Sequence, residues 1–191
     1  LDNFKQINDL YGHQTGDTVL RAIAERLGMT LPAGSVLVRI GGDEFACALP
    51  FTEQRRVDLL ASQLIALASA PIEDQRASIE ATISVGIAAT DGAREGEDLI
   101  ASADRLVHQA DIAMYQAKKR GRNRYCWFEP QMEDELRLRN ELESAIRQGI
   151  AAGEFVPYYE QQIDLETGEL IGFEMLARWH SPRFGLVGPE V

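Results

Sequence analysis

Cysteine is nearly absent from this chain of 191 residues: Cys47 and Cys126 are the only two, too few and too isolated for a disulfide framework. Long apolar runs are missing as well. Nothing approaches the ~20 residues of a membrane-spanning helix, and the opening LDNFKQIND lacks the basic-then-apolar form of a signal peptide. A cytoplasmic setting without membrane contact is therefore predicted, and any membrane tether of a parent protein would lie outside this segment. Positive charge is in deficit, with 19 basic against 30 acidic residues and a net charge of −11, which argues against a general nucleic-acid surface. What remains is 45% apolar residues with mixed charge, enough for a full core. The length suits one domain, or one and part of another.

Residues 36–49 read VLVRIGGDEFACAL, two short strand-like runs joined by Gly41-Gly42-Asp43-Glu44. Consecutive glycines let the backbone turn sharply and approach a ligand closely. Two acids at the tip are hard oxygen ligands of the kind Mg²⁺ takes, through one or two carboxylates together with substrate phosphates. The same four residues also suit a plain solvated turn. Cation is concentrated in AKKRGRNR, where Lys118, Lys119, Arg120, Arg122 and Arg124 stand close together. Such a cluster can hold a small polyphosphate. It also reads as a helix end capped by Gly121, favourable for the helix dipole without any ligand.

Asn3 to Tyr11 reads as a short helix stopped at Gly12, and Asp17 can cap a second, whose Leu20, Ile23 and Leu27 share a face. After the hairpin, helical spacing over 52–68 precedes a strand pattern over 78–89. A helix then runs from about Asp98 or Ala103 to Arg120, and 124–128 resembles a closing strand. This alternation predicts an α/β sheet covered by helices. Beyond Pro130, 133–152 is a charged helical stretch, followed by two strands joined at Glu166-Thr167-Gly168.

FKQIND, YGH and GD precede GGDEF in order, and AD, AMYQAK and GRNR follow it. Across residues 1–128 the chain thereby resembles the GGDEF family, the diguanylate cyclases of bacterial signalling. The resemblance implies a sheet like that of nucleotidyl cyclases and the polymerase palm. It implies an enzyme that condenses two GTP into cyclic di-GMP and pyrophosphate, with Mg²⁺ or Mn²⁺ as cofactor and a homodimer as the catalytic unit. By the same resemblance Asp43 ligates metal and Glu44 supports metal and nucleophile. Gly41 and Gly42 leave space for the nucleotide, Lys5, Lys118 and Arg122 neutralise phosphates, and Asn8 and Asp17 read guanine. Asn8 as a helix-surface amide and Asp17 as an N-cap are the plain alternatives. His13, Ser84, Gly86, Met114 and Tyr115 are read as structural.

The family's essential metal-binding aspartate would stand immediately before Leu1, whose own backbone carbonyl matches a metal-ligating position. This polypeptide is therefore expected to be an impaired cyclase. The usual product-inhibition motif, Arg-x-x-Asp, is replaced by Pro32-Ala33-Gly34-Ser35, so inhibition by that route is expected to be lost. The tail YYEQQIDLETGELIGFEMLARW resembles the start of an EAL domain, a cyclic di-GMP phosphodiesterase with a TIM-like barrel. That implies a truncated barrel start, a metal-ligand role for Glu174, a phosphate contact at Arg178, and Glu160 in place of a usual glutamine. No phosphodiesterase activity is expected from this part alone. The organisation expected is a GGDEF domain over 1–128, a linker and first helix over 129–152, and an EAL beginning over 153–191. A GTP-binding module that regulates an attached phosphodiesterase is the alternative function.

Overall fold

The computed structural model describes residues 1–74, 77–90 and 98–188, and the chain divides into two compact units, Leu1–Glu133 and Asp134–Val191. In the first unit, α1 (Phe4–Tyr11) buries Ile7 and ends at Gly12, whose φ of 86° is a left-handed conformation open to glycine. Because Gly12 reverses the chain at once, α2 (His13–Thr30) starts directly after it. Asp17 consequently lies inside the helix rather than at its N-cap, which corrects the capping expectation. Val19, Ile23 and Leu27 recur every fourth residue and form the buried stripe of α2.

The hairpin pairs β1 (Val36–Gly41) with β2 (Glu44–Ala48), and α3 (Gln54–Ala68) follows, burying Val57, Ala61, Leu64 and Ala68. Next come the short pair β3 (Ile72–Glu73) and β4 (Ser78–Ile79), then β5 (Val85–Ile87). The strand expected over 78–89 is therefore interrupted. Within the interruption Ala81 and Ile83 are still buried in alternation, but the main-chain partner there is Asp2, whose N–H donates to the Thr82 carbonyl at 2.8 Å. One such bond does not make a ladder. In place of one continuous sheet, three two-stranded pieces are found among the described residues.

Helix α4 (Leu99–Lys119) crosses from β5 to β6 (Tyr125–Trp127), which pair in parallel. A Cβ on Gly86 of β5 would meet the Ala110 carbonyl oxygen at 1.9 Å and the Met114 nitrogen at 2.3 Å, so glycine lets strand and helix backbones touch. The core gathers Ile7, Val19, Ile23, Leu27, Leu64, Ala68, Ile72, Ile79, Ala81 and Ile83 from helices α1 to α3 and the strands beside them.

Helix α5 (Pro130–Ala152) leads into the second unit, where β7 (Phe155–Ile163), β8 (Leu170–Ser181) and β9 (Gly185–Val187) form an antiparallel sheet. Trp179 anchors it, stacked on Phe155 at 5.6 Å with its indole N–H donating to Glu154 Oε2 at 2.8 Å. A TIM-type barrel is built of parallel strands joined through helices, and the three antiparallel strands described here contain no such step.

Candidate active site

At the hairpin tip Gly41 faces Glu44, and Gly42 carries a φ of 48°, the left-handed value that a tight turn requires. Arg39 braces the turn from below: its Nε and Nη2 both donate to the Gly42 carbonyl, at 2.9 and 2.6 Å. Asp43 is half-buried, whereas Gly41, Gly42 and Glu44 are exposed. The main-chain nitrogen of Leu1 donates to the Asp43 carbonyl at 2.8 Å and lies 3.6 Å from its carboxylate Oδ2. Two of the expected metal ligands, Asp43 and the Leu1 backbone, therefore stand side by side.

Lys118 lies in the last turn of α4, which closes by a Schellman motif. Arg122 N–H donates to the Ala117 carbonyl at 3.1 Å and Gly121 N–H to that of Lys118 at 3.3 Å, with Gly121 at φ 108°. The cap reading of Gly121 is correct. It also turns the chain so that exposed Arg122 follows Lys118 within a few residues. Lys118 sits at the helix end where the dipole favours cations.

Lys5 and Asn8 are three residues apart on α1 and so share a face. A Cβ on Gly16 of α2 would meet Asn8 Oδ1 at 1.9 Å and its Cγ at 3.0 Å, so the Asn8 side chain is seated against Gly16. Asp17, exposed, is the next residue. Asn8 is thereby packed against α2 at the residue before Asp17. Sequence reasoning missed the parts played by Gly16, Arg39 and Asp2. A glycine inside a helical pattern is the one signal that pointed to any of them.

Residues 1–124 match the family described as "Diguanylate cyclase, GGDEF domain". The chain belongs to the GGDEF domain family. Relatives of this GGDEF chain include MucR of Pseudomonas aeruginosa, named a bifunctional diguanylate cyclase/cyclic di-GMP phosphodiesterase, 35% identical over 99% of this chain and 27% of that protein. PdeR of Escherichia coli, named a cyclic di-GMP phosphodiesterase, is 34% identical over 99% of this chain and 28% of its own length. The chain thus spans about a quarter of the length of these curated relatives. Among solved structures, the GGDEF domain of TpbB (YfiN) from Pseudomonas aeruginosa superposes with a TM-score of 0.63 at 34% identity, covering 71% of this chain and 77% of that one. The GGDEF domain of DgcB from Caulobacter crescentus, solved in complex with c-di-GMP, has a TM-score of 0.58 at 30% identity, covering 66% and 72%. The α/β fold is that of these GGDEF neighbours.

No group of three or more His, Cys, Asp or Glu side chains able to hold a metal occurs among the described residues. The two tip carboxylates and the Leu1 backbone fit a hard cation that brings nucleotide phosphates as further ligands, which is how Mg²⁺ commonly binds. In the second unit exposed Glu174 on β8 stands directly opposite Glu160 on β7. Like charges in that position repel. Arg178 lies with its guanidinium 5.7 Å from the Tyr158 ring. The letters Arg55-x-x-Asp58 fall on α3, where Asp58 accepts a bond from Trp127 Nε1 at 2.7 Å and so serves the fold.

Proposed function

We propose that this GGDEF domain binds GTP at the hairpin tip and condenses two GTP molecules into cyclic di-GMP and pyrophosphate. The observation that carries this reading is the Leu1 backbone bonded to Asp43 at the hairpin tip. Asp43 and Glu44, with the Leu1 carbonyl, would hold Mg²⁺ or Mn²⁺. When bound, the metal makes the 3′-hydroxyl more acidic and stabilises the pyrophosphate leaving group. Gly41 and Gly42 give the nucleotide room. Lys5, Lys118 and Arg122 offset the phosphate charge, the guanidinium through its two-pronged donor geometry. Asn8 and Asp17 read the Watson–Crick edge of guanine, an amide and a carboxylate meeting its acceptor and donors.

The product joins two nucleotides head to tail, so two subunits each presenting one GTP must meet, and a homodimer is the catalytic unit. Residues 153–191 are read as the beginning of an EAL-type domain that follows a GGDEF domain over 1–128 and a helical linker. MucR, whose name carries both activities, matches 99% of this chain. Glu174 is then read as a metal position of that domain. The second reading, a GTP-binding module that regulates an attached phosphodiesterase, is favoured by PdeR, a relative named for phosphodiesterase activity alone.

Incubation of a chain extended upstream of Leu1 with GTP and Mg²⁺, followed by chromatography of the nucleotides, separates these readings. Cyclic di-GMP that disappears with Asp43→Ala supports the cyclase. Bound GTP without product supports the regulatory module, and no bound GTP removes both.

A further inference from the structure

Asp2 is among the few charged residues buried in the first unit, only 4% exposed, and neither the tip nor the phosphate contacts described above include it. Its carboxylate is filled on both oxygens. Oδ1 accepts from Ser84 Oγ at 2.7 Å, and Oδ2 accepts from Thr82 Oγ1 at 2.8 Å and from the Asn123 main-chain N–H at 3.2 Å. One side chain therefore ties three places together: the backbone next to Leu1, the segment between β4 and β5, and the loop that carries Arg122.

That loop needs a tie. Arg122 and Asn123 have φ values of 60° and 49°, two consecutive non-glycine residues in the left-handed region, which persist only where the surroundings hold them. The Schellman bonds hold Arg122 N–H from the helix side, and Asp2 holds Asn123 N–H from the side of the tip. Leu1, covalently next to Asp2, is bonded to Asp43.

We propose that Asp2 is a positioning residue that fixes Arg122 relative to the Asp43 tip, so that metal and triphosphate are gripped together. The proposal rests on the reading of Arg122 as a phosphate contact. The part is played by geometry and not by charge. Asn at this position can therefore replace it: the amide oxygen takes the place of Oδ2 and still receives the Asn123 N–H and the Thr82 hydroxyl, while the Ser84 hydroxyl rotates to accept from the amide NH2. Ala cannot.

The test is calorimetric titration of the 191-residue chain with Mg²⁺-tripolyphosphate and Mg²⁺-GTP, with amide exchange read at residues 122–124. Asp2→Ala is expected to speed that exchange and to weaken tripolyphosphate by at least about tenfold, whereas Asp2→Asn stays within about threefold. On an Arg122→Ala background, Asp2→Ala should cost less than about threefold more, because the two act as a unit. If Asp2→Ala does not fold, Thr82→Val with Ser84→Ala removes the orienting hydroxyls and is expected to weaken tripolyphosphate in the same way. Affinity that stays within about twofold in these variants, full additivity with Arg122→Ala, or a loss in Asp2→Asn as large as in Asp2→Ala would each overturn the proposal. An unaltered chain that binds neither ligand overturns the GTP-binding reading itself, and this proposal falls with it. Binding that is present and indifferent to Asp2 overturns this proposal alone.

Discussion

At the scale of single residues, the site is shaped as much by missing side chains as by charged ones. Gly16 leaves the space in which Asn8 Oδ1 sits, since a Cβ there would come within 1.9 Å of that oxygen. Gly16→Ala should push the Asn8 amide aside and reduce the preference for GTP over ATP by about tenfold, the order a site loses when its hydrogen-bonding reader is misplaced. Paired binding titrations with the two nucleotides check this; an unchanged ratio would free Asn8 from the role of guanine reader. Gly86→Ala acts on packing instead. Its Cβ would press on backbone atoms of Ala110 and Met114, which cannot rotate away, and about 1–3 kcal/mol of stability should be lost in urea unfolding. The glycine and carboxylate doublets at 41–44 were legible in the sequence because their geometry is local. Asp2 was not, because its partner at Asn123 is 121 residues away, and no short-range pattern encodes that meeting.

At the scale of elements, hydrophobic periodicity located the helices and the hairpins β1–β2 and β7–β8, while the pairs β3–β4 and β8–β9 went unread. The turn between β7 and β8 fell where Glu166-Thr167-Gly168 predicted it, and the structure adds its fastening. Asp164 Oδ1 accepts from the N–H groups of Glu166 and Thr167, both at 2.8 Å. Those bonds favour the ionised form and hold the Asp164 pKa below its ordinary value. The sign follows from linkage. A depressed carboxylate pKa contributes stability that is present above the unfolded value and is lost as pH falls through the folded one. Amide exchange at 166–168, corrected for its intrinsic pH dependence, should therefore show weaker protection as pH drops below the usual carboxylate range, and Asp164→Asn should flatten that change. What periodicity could not supply was partnership. The alternation of Ile79, Ala81 and Ile83 reads as one strand, yet main-chain pairing depends on what lies alongside, and along 80–84 that is Asp2 with a single bond. Asp17 was placed wrongly for a related reason. A polar residue before an apolar stripe looks like a cap, but Gly12 had already reversed the chain.

At the scale of the whole molecule, a chain with a net charge of −11 is read as binding a substrate that is itself a polyanion. Long-range electrostatics oppose that encounter. The local arrangement must outweigh it, with the lysines in the last turn of α4 and a divalent cation neutralising carboxylates and phosphates together. The consequence is a dependence on metal that mutation of Asp43 removes. Calorimetric titration of GTP into the 191-residue chain, with Mg²⁺ and then with the metal chelated, tests it directly. Binding should tighten by at least about tenfold with Mg²⁺ in the unaltered chain. In Asp43→Ala that gain should vanish, while the metal-free affinity holds or rises because a negative charge next to the phosphates is gone. Equal affinity with and without Mg²⁺, or an Asp43→Ala chain that keeps the full metal gain, would contradict the account.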